Sequence, residues 1–274
     1  MKVLVTGSNG MLGQDLCPIF EDNGVDVIET DVDTLDITNP DMVEQVLKEH
    51  KPDVVIHCAA YTSVDKAEEE KEIAERINVI GTKNVALASN AIGATLVYIS
   101  TDYVFDGTKS EPYIPEDQPN PINNYGWTKL AGEKLIEECC EKYYIVRTSW
   151  LYGHHGNNFV ETMVSLSSKD EISVVDDQIG CPTWTVELAN AILEIIEEEL
   201  EFGIYHVCGS GQTSWFGFAK EIFEQLNLKV KLKPCTTEEF PRPAKRPKYS
   251  VMDNEGFCRD WKIALKEYLE LRIV

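Results

Sequence analysis

Positive charge is scarce in this sequence: 25 lysines and arginines stand against 47 aspartates and glutamates, a formal net charge of −22. A polyanion such as nucleic acid is therefore repelled, and no basic stripe with interleaved aromatics offsets the deficit. Long apolar runs are missing too. None approaches the roughly 20 residues that span a bilayer, so no membrane association is expected. The opening Met1-Lys2-Val3-Leu4-Val5-Thr6-Gly7 turns to glycine too soon for a secretion signal and reads as a first strand. The eight cysteines, at 17, 58, 139, 140, 181, 208, 235 and 258, form no Cys-x-x-Cys pair and no Cys/His ligand spacing. Reduced core thiols in a cytoplasmic protein are the simplest expectation, and no metal site is expected. Internal repeats and low-complexity segments are absent as well.

What the chain does have is alternation. Its 274 residues, 43% of them hydrophobic, suffice for a sizeable core in one domain with insertions or two joined domains. Short apolar runs at Lys2–Thr6, Val25–Thr30, Asp53–Cys58, Thr95–Ser100 and Tyr143–Thr148 predict strands. Helical patterns fall between them, near Leu12–Asp22, Pro40–His50, Ala67–Ala91 and Tyr125–Glu141. The strands lack polar alternation, as expected where helices cover both faces of a parallel sheet. The expected fold class is α/β, a Rossmann-type doubly wound parallel sheet with a smaller discontinuous C-terminal substrate-binding lobe. After Trp150 the rhythm breaks into loops, with a strand-like run at Ile172–Val175. Regularity returns with a helix at Val186–Leu200 and a strand at Gly203–Val207. A helix near Phe216–Leu226 and a terminal amphipathic helix follow. The domain division expected is residues 1–150 and 183–208 for the dinucleotide-binding part, and 151–182 and 209–274 for the lobe.

Directly after the first strand, Thr6-Gly7-Ser8-Asn9-Gly10-Met11-Leu12-Gly13 spells G-x-x-G-x-x-G and opens a helix. Gly7 permits the tight turn, Gly10 lets backbone approach a pyrophosphate, and Gly13 lets the helix pack close to the sheet. The helix N-terminus then offers free N–H groups to the phosphates. A plain turn has similar glycines, but strand, turn and helix in this order point to a dinucleotide. Gly7, Asn9 and Gly10 are the expected cofactor contacts of this turn. Asp31, ending the second strand, is placed to bond the adenosine ribose hydroxyls, its alternative being a solvated acidic loop with Asp33 and Asp36. Thr30 and Val32 bring no cation for a 2′-phosphate, so NADH is favoured, with NADPH admitted if a Lys or Arg reaches in from elsewhere.

Tyr125 and Lys129 stand four apart on a predicted helix and share one face. Carbonyl reduction needs a proton donor on oxygen as hydride reaches carbon, and a free tyrosine, with a pKa near 10, is a sluggish one. A neighbouring ammonium stabilises the phenolate and lowers that pKa. This spacing alone is common on helix surfaces. It gains meaning from Ser100-Thr101-Asp102, which ends a strand at the same sheet edge: Thr101, preferred over the more buried Ser100, offers the carbonyl a hydroxyl. The one dense basic segment, Arg242-Pro243-Ala244-Lys245-Arg246-Pro247-Lys248, is either a solvated loop or a phosphate-facing one.

Together with the glycine turn, Cys58-Ala59-Ala60-Tyr61-Thr62, Val64-Asp65-Lys66-Ala67-Glu68, Ser100-Thr101-Asp102-Tyr103-Val104-Phe105, Tyr125 to Glu133, Arg147-Thr148-Ser149-Trp150 and Asn157-Asn158-Phe159 resemble the extended short-chain dehydrogenase/reductase family. Asp177-Gln178, Pro182-Thr183 and Arg246-Pro247 carry the resemblance into the second half. It implies an enzyme reducing the 4-keto group of dTDP-4-dehydro-L-rhamnose to dTDP-L-rhamnose, with Thr101, Tyr125 and Lys129 catalytic. Gly10, Met11, Leu12, Asp31, Asp36, Ile37, Ala59, Ala60 and Tyr61 would then contact the cofactor. Asp102, Trp150 and Asn158 would contact the sugar nucleotide, and Arg246 its diphosphate. Trp127 is bulkier than the residue usual there, which an outward position makes harmless. Some members bind Mg²⁺ through acidic residues at a dimer interface; Asp15 matches in place, but the other ligands have no match. A small-molecule nucleotide sugar is thus the expected partner, with a homodimer left open. The rivals are a 4,6-dehydratase or epimerase on the same fold, and a non-catalytic subunit like the regulatory subunit of methionine adenosyltransferase. Tyr103 stands where a dehydratase has a second acid, which argues against elimination.

Overall fold

Val3, Leu4 and Val5 are all fully inaccessible, although successive side chains of a strand point to opposite faces. Both faces of their sheet must therefore be covered. The computed structural model describes residues 1–272 and shows how. Strands β1 (Lys2–Thr6), β2 (Asp26–Thr30), β3 (Val54–His57), β4 (Thr95–Thr101), β5 (Tyr143–Thr148) and β6 (Gly203–His206) form one sheet in the order β6-β5-β4-β3-β1-β2. Every neighbouring pair is parallel. Helices α1 (Met11–Asp22), α2 (Pro40–His50), α3 (Lys71–Glu75), α4 (Thr82–Ile92), α5 (Asn124–Cys139) and α6 (Thr185–Glu197) cover it.

Alternation along each strand divides the core into two. Val3, Val5, Val54, Ile56, Val97 and Val146 pack with Leu16 and Phe20 of α1 and Leu188 and Ile192 of α6. Leu4, Val55, Leu96, Tyr98 and Ile145 pack with Val43 and Leu47 of α2, Val85 of α4 and Ile136 of α5. Burying a large apolar side chain contributes about 1.5–3 kcal/mol, so the two layers outweigh any local propensity. The chain runs from β1 outward to β2, then returns to set β3 on the other side of β1. Neighbouring crossovers leave this point in opposite directions, which opens a crevice at the strands' carboxyl ends.

The first five predicted strands and the helices α1 and α2 fall where expected. The helix expected at Ala67–Ala91 does not run unbroken. A 3₁₀ turn (Lys66–Glu68) precedes α3, and a π-helical turn over Arg76–Gly81 joins α3 to α4. The widened turn is tied down on both sides: buried Asn78 accepts from the Tyr61 N–H (2.7 Å) and donates to the Tyr61 carbonyl (3.0 Å). A Cβ on Gly81 would meet Ile37 Cδ1 at 2.7 Å. Such bulges gather at functional sites.

A third apolar cluster lies beyond the sheet. Tyr152, Val160, Ile172, Trp184, Phe218, Ile222, Trp261 and Tyr268 join helices Phe159–Ser165, Trp215–Gln225 and Trp261–Leu271. The predicted strand near Ile172 is present as Glu171–Val175, paired in parallel with Lys231–Cys235. That partner was unforeseen, because Lys-Leu-Lys-Pro-Cys offers one apolar side chain and a proline without an N–H, tolerable only at an edge.

Candidate active site

Gly7 adopts φ +69°, and a Cβ there would lie 2.7 Å from the Ala59 nitrogen across the β1/β3 crevice. Only glycine fits both demands. Gly13 presses against the turn just as closely, where a Cβ would sit 2.5 Å from the Ser8 carbonyl. Gly10 is the N-cap of α1 and no side chain caps that end, so the leading N–H groups at Met11 and Leu12 are available to an anion. Asp31 closes the turn from the β2 side: Oδ2 accepts from the Asn9 N–H (3.0 Å) and Oδ1 from the Val32 N–H (2.7 Å). Asp36 is held by the Thr38 N–H and hydroxyl at 2.9 and 2.8 Å. These residues line one end of a cleft of about 740 Å³, in the size range of cofactor sites. Gly7, Asn9, Gly10, Met11, Leu12, Asp31, Asp36, Ile37, Ala59 and Ala60 all line it. An extended diphosphate with a flanking ribose suits that wall.

Thr101, Asp102, Tyr125, Lys129 and Trp150 line the same cleft. Thr101 ends β4, and Tyr125 stands in the first turn of α5, whose start is fixed from three sides. Asn123 Oδ1 accepts from the Gly126 N–H (2.8 Å), and Asn123 Nδ2 donates to the Lys245 carbonyl (2.8 Å). Asn124 donates its N–H to Glu68 Oε1 (2.7 Å). The Thr101 hydroxyl donates to Asp102 Oδ1 (3.0 Å), and Ser250 donates to Asp102 Oδ2 (2.6 Å). Asp102 is 2% exposed. Burial pushes its carboxyl up to about 7, against the pull of Ser250 and Thr101. Lys129, also buried, rests its ammonium 4.0 Å above the centre of the Tyr98 ring. Beside that ring, burial pushes His57 down to about 3, so the imidazole between Thr6 and Thr82 is neutral at physiological pH.

Burial also raises the Tyr125 phenol well above its usual range, and the group that opposes the shift is Thr101. This corrects the sequence-based expectation, which gave that effect to Lys129. Lys129 itself is driven down to about 7 by burial, with Glu133 and Cys58 pulling the other way. A free lysine titrates near 10.4, so between about pH 7 and 10 the unfolded chain binds a proton that the folded chain releases. Stability from this group therefore rises with pH across that window and is lost as pH falls through 7. Lys129→Met should be more stable than wild type at about pH 6 and lose that advantage towards pH 10. Denaturant unfolding at the two ends checks this; an advantage independent of pH would mean that Lys129 is not forced.

Three predicted contacts do not line the cleft. Tyr61 donates its hydroxyl to Glu70 Oε2 (2.5 Å) while its backbone is tied to Asn78. Asn158 caps the helix Phe159–Ser165, accepting from the Glu161 N–H (3.0 Å) and donating to the Gly153 carbonyl (2.7 Å). Arg246 is bonded to Asp65 and to the Ala244 carbonyl, and Arg242 stands 3.4 Å from the same carboxylate. Both arginines of the basic segment thus share one carboxylate within the chain. Trp127 is 49% exposed, on the outside of α5. Trp150 holds φ +46°, rare for a bulky residue, and stacks on Trp215 with centroids 3.5 Å apart. Outliers of this kind gather at functional sites. Arg76, Thr38, Thr62 and Ser149 line the cleft without having been foreseen. An exposed arginine on a helix gives no signal that separates it from a solvated face.

Comparison with known proteins finds relatives that match the chain over its length. The spore coat polysaccharide biosynthesis protein SpsK of Bacillus subtilis is 43% identical, covering 99% of this chain and 98% of its own length. The dTDP-4-dehydrorhamnose reductase of Clostridium acetobutylicum superimposes with a TM-score of 0.96 at 51% identity, covering 99% of both chains. That of Bacillus anthracis, solved in complex with NADP, gives 0.95 at 48% identity over 98% of both. The pattern of the family described as RmlD substrate binding domain matches residues 1–271, and the chain belongs to that family.

Proposed function

We propose that this protein is an NAD(P)H-dependent reductase that converts dTDP-4-dehydro-L-rhamnose to dTDP-L-rhamnose. One observation carries the reading: Thr101, Tyr125 and Lys129 share a single cleft with the glycine turn and Asp31. The turn, Asp31 and Asp36 would hold the dinucleotide. When bound, reduced nicotinamide supplies the hydride for the C4 carbonyl carbon. The Thr101 and Tyr125 hydroxyls bind the carbonyl oxygen, and Tyr125 gives it a proton as negative charge develops there. Lys129, one helical turn away in the same cleft, would hold the ribose hydroxyls of the nicotinamide half. Residues 1–150 and 183–208 would serve the dinucleotide, and 151–182 with 209–274 the sugar nucleotide.

The test is consumption of NADH and of NADPH with dTDP-4-dehydrorhamnose, with the product identified by NMR. Stoichiometric oxidation yielding dTDP-L-rhamnose is expected. Turnover of the sugar without net oxidation would point to an epimerase, and no turnover of any nucleotide sugar to a binding subunit. Trp150 belongs to the sugar-nucleotide end in this reading. A Cβ on Gly180 would lie 2.5 Å from its indole, so Gly180→Ala should displace the ring. A loss of about 10- to 100-fold in kcat/KM for the sugar nucleotide is expected, with NADP⁺ binding as in wild type. Unchanged kinetics would remove Trp150 from the site.

A further inference from the structure

Arg76 opens the π-helical turn between α3 and α4 and lines the cleft. Among the described residues the cleft has one other cation, Lys129, which stands by Tyr125. The chain has six arginines. Arg147, Arg242, Arg246, Arg259 and Arg272 are each paired with a carboxylate. Arg76 is exposed and has no such partner among the described residues. In a protein of net charge −22, an arginine left unpaired beside a cleft is a conspicuous exception.

Its location is set by its neighbours. Ile77 packs in the cluster that contains Leu35 and Ile37, Gly81 lies against Ile37, and Asn84 Nδ2 donates to the Ile37 carbonyl (2.9 Å). The π turn is thereby fastened to the segment after β2, at the end of the cleft marked by Asp31. Both oxygens of Asp31 already accept backbone N–H groups, which tempers the repulsion an added anion would meet there. A guanidinium is the side chain best matched to a phosphate, binding it through two parallel N–H donors.

We infer that Arg76 supplies the charge that admits a 2′-phosphorylated cofactor, so that the protein accepts NADPH despite the acidic end of β2. This rests on the reading that the cleft binds a nicotinamide dinucleotide. It also amends the expectation of NADH, which was drawn from Thr30 and Val32 alone: the cation comes from another helix.

The test is equilibrium binding of NADP⁺ and NAD⁺ by calorimetry to wild type, Arg76→Leu and Arg76→Lys. For Arg76→Leu the Kd for NADP⁺ should rise roughly 10- to 100-fold, the worth of a hydrogen bond to a charged group. The Kd for NAD⁺ should stay at the wild-type value. Arg76→Lys should fall between, keeping charge without the fork. Because Arg76 is exposed, neither variant should disturb folding. Parallel weakening of both dinucleotides, or no change in either, would overturn the inference while leaving the proposed function standing. A wild type that binds neither dinucleotide would instead remove the proposed function, and this inference with it.

Discussion

Tyr125→Phe is expected to lower kcat by roughly 10²- to 10⁴-fold, the usual contribution of a general acid, while leaving cofactor binding unchanged. The substitution isolates the hydroxyl. Phenylalanine keeps the edge-on contact with Tyr103, whose ring centre lies 5.9 Å away, and α5 keeps its caps at Asn123 and its tether at Asn124. What is lost is the hydroxyl with its proton, a stability change of about 1 kcal/mol. Steady-state rates with NADH and NADPH, paired with calorimetric binding of the oxidised cofactors, separate chemistry from binding. Near-full turnover in the variant would show that the proton comes from elsewhere.

The largest stability effect is expected at Glu133, four residues beyond Lys129 on α5. Its carboxylate takes Nε and Nη2 of Arg147 at 3.0 and 2.7 Å and also accepts from the Ser100 hydroxyl. The side chains of Arg147 and Glu133 are 1% and 2% exposed. Glu133→Ala strands a guanidinium between β5 and Phe105, whose ring centre is 5.2 Å away. Breaking one side of a buried pair costs about 3–5 kcal/mol, a large share of the roughly 5–15 kcal/mol that holds a domain together. A lower urea midpoint with an unchanged m-value would be the signature. A loss below about 1 kcal/mol would mean that Arg147 finds water once its partner is gone. Replacing both partners with apolar residues of similar volume should recover much of the loss, since the pair's net contribution is small beside the penalty for orphaning one charge.

The sheet was legible because its strands are apolar on both faces, a pattern that Val3-Leu4-Val5 and Val54-Val55-Ile56 carry without interruption. The glycine turn was legible because Gly7 and Gly13 each meet a steric demand no other residue satisfies. Tyr125 and Lys129 emerged from a spacing of four on a helix, and Thr101 from its place at a strand's end. What stayed hidden depends on partners distant in sequence or on one extra residue in a turn. Nothing in Arg76–Gly81 announces a π turn, because its cause is Asn78 binding Tyr61 and Ile37 lying over Gly81. The segment around Arg246 stayed open between a solvated loop and a phosphate-facing one, because Asp65, the partner that takes its charge, lies far away in the chain. Asn158 was carried over by identity, and identity does not say that a side chain is spent on capping its own helix.

The edge strand has a bearing on how this protein is made. β2 to β6 each meet a sheet neighbour that precedes them in the chain, so pairing can follow synthesis from the N-terminus. β6 has the longest wait. It joins β5, Gly203 beside Tyr144 and His206 beside Arg147, only after residues 149–202 have been laid down. Closing so long a loop is slow. Until it closes, β5 presents a row of unpaired N–H and C=O groups flanked by Tyr144 and Val146, a template for pairing with another nascent copy. A ribosome that pauses before Gly203 would therefore hold a chain whose cofactor turn is already built and whose sheet is still open to aggregation.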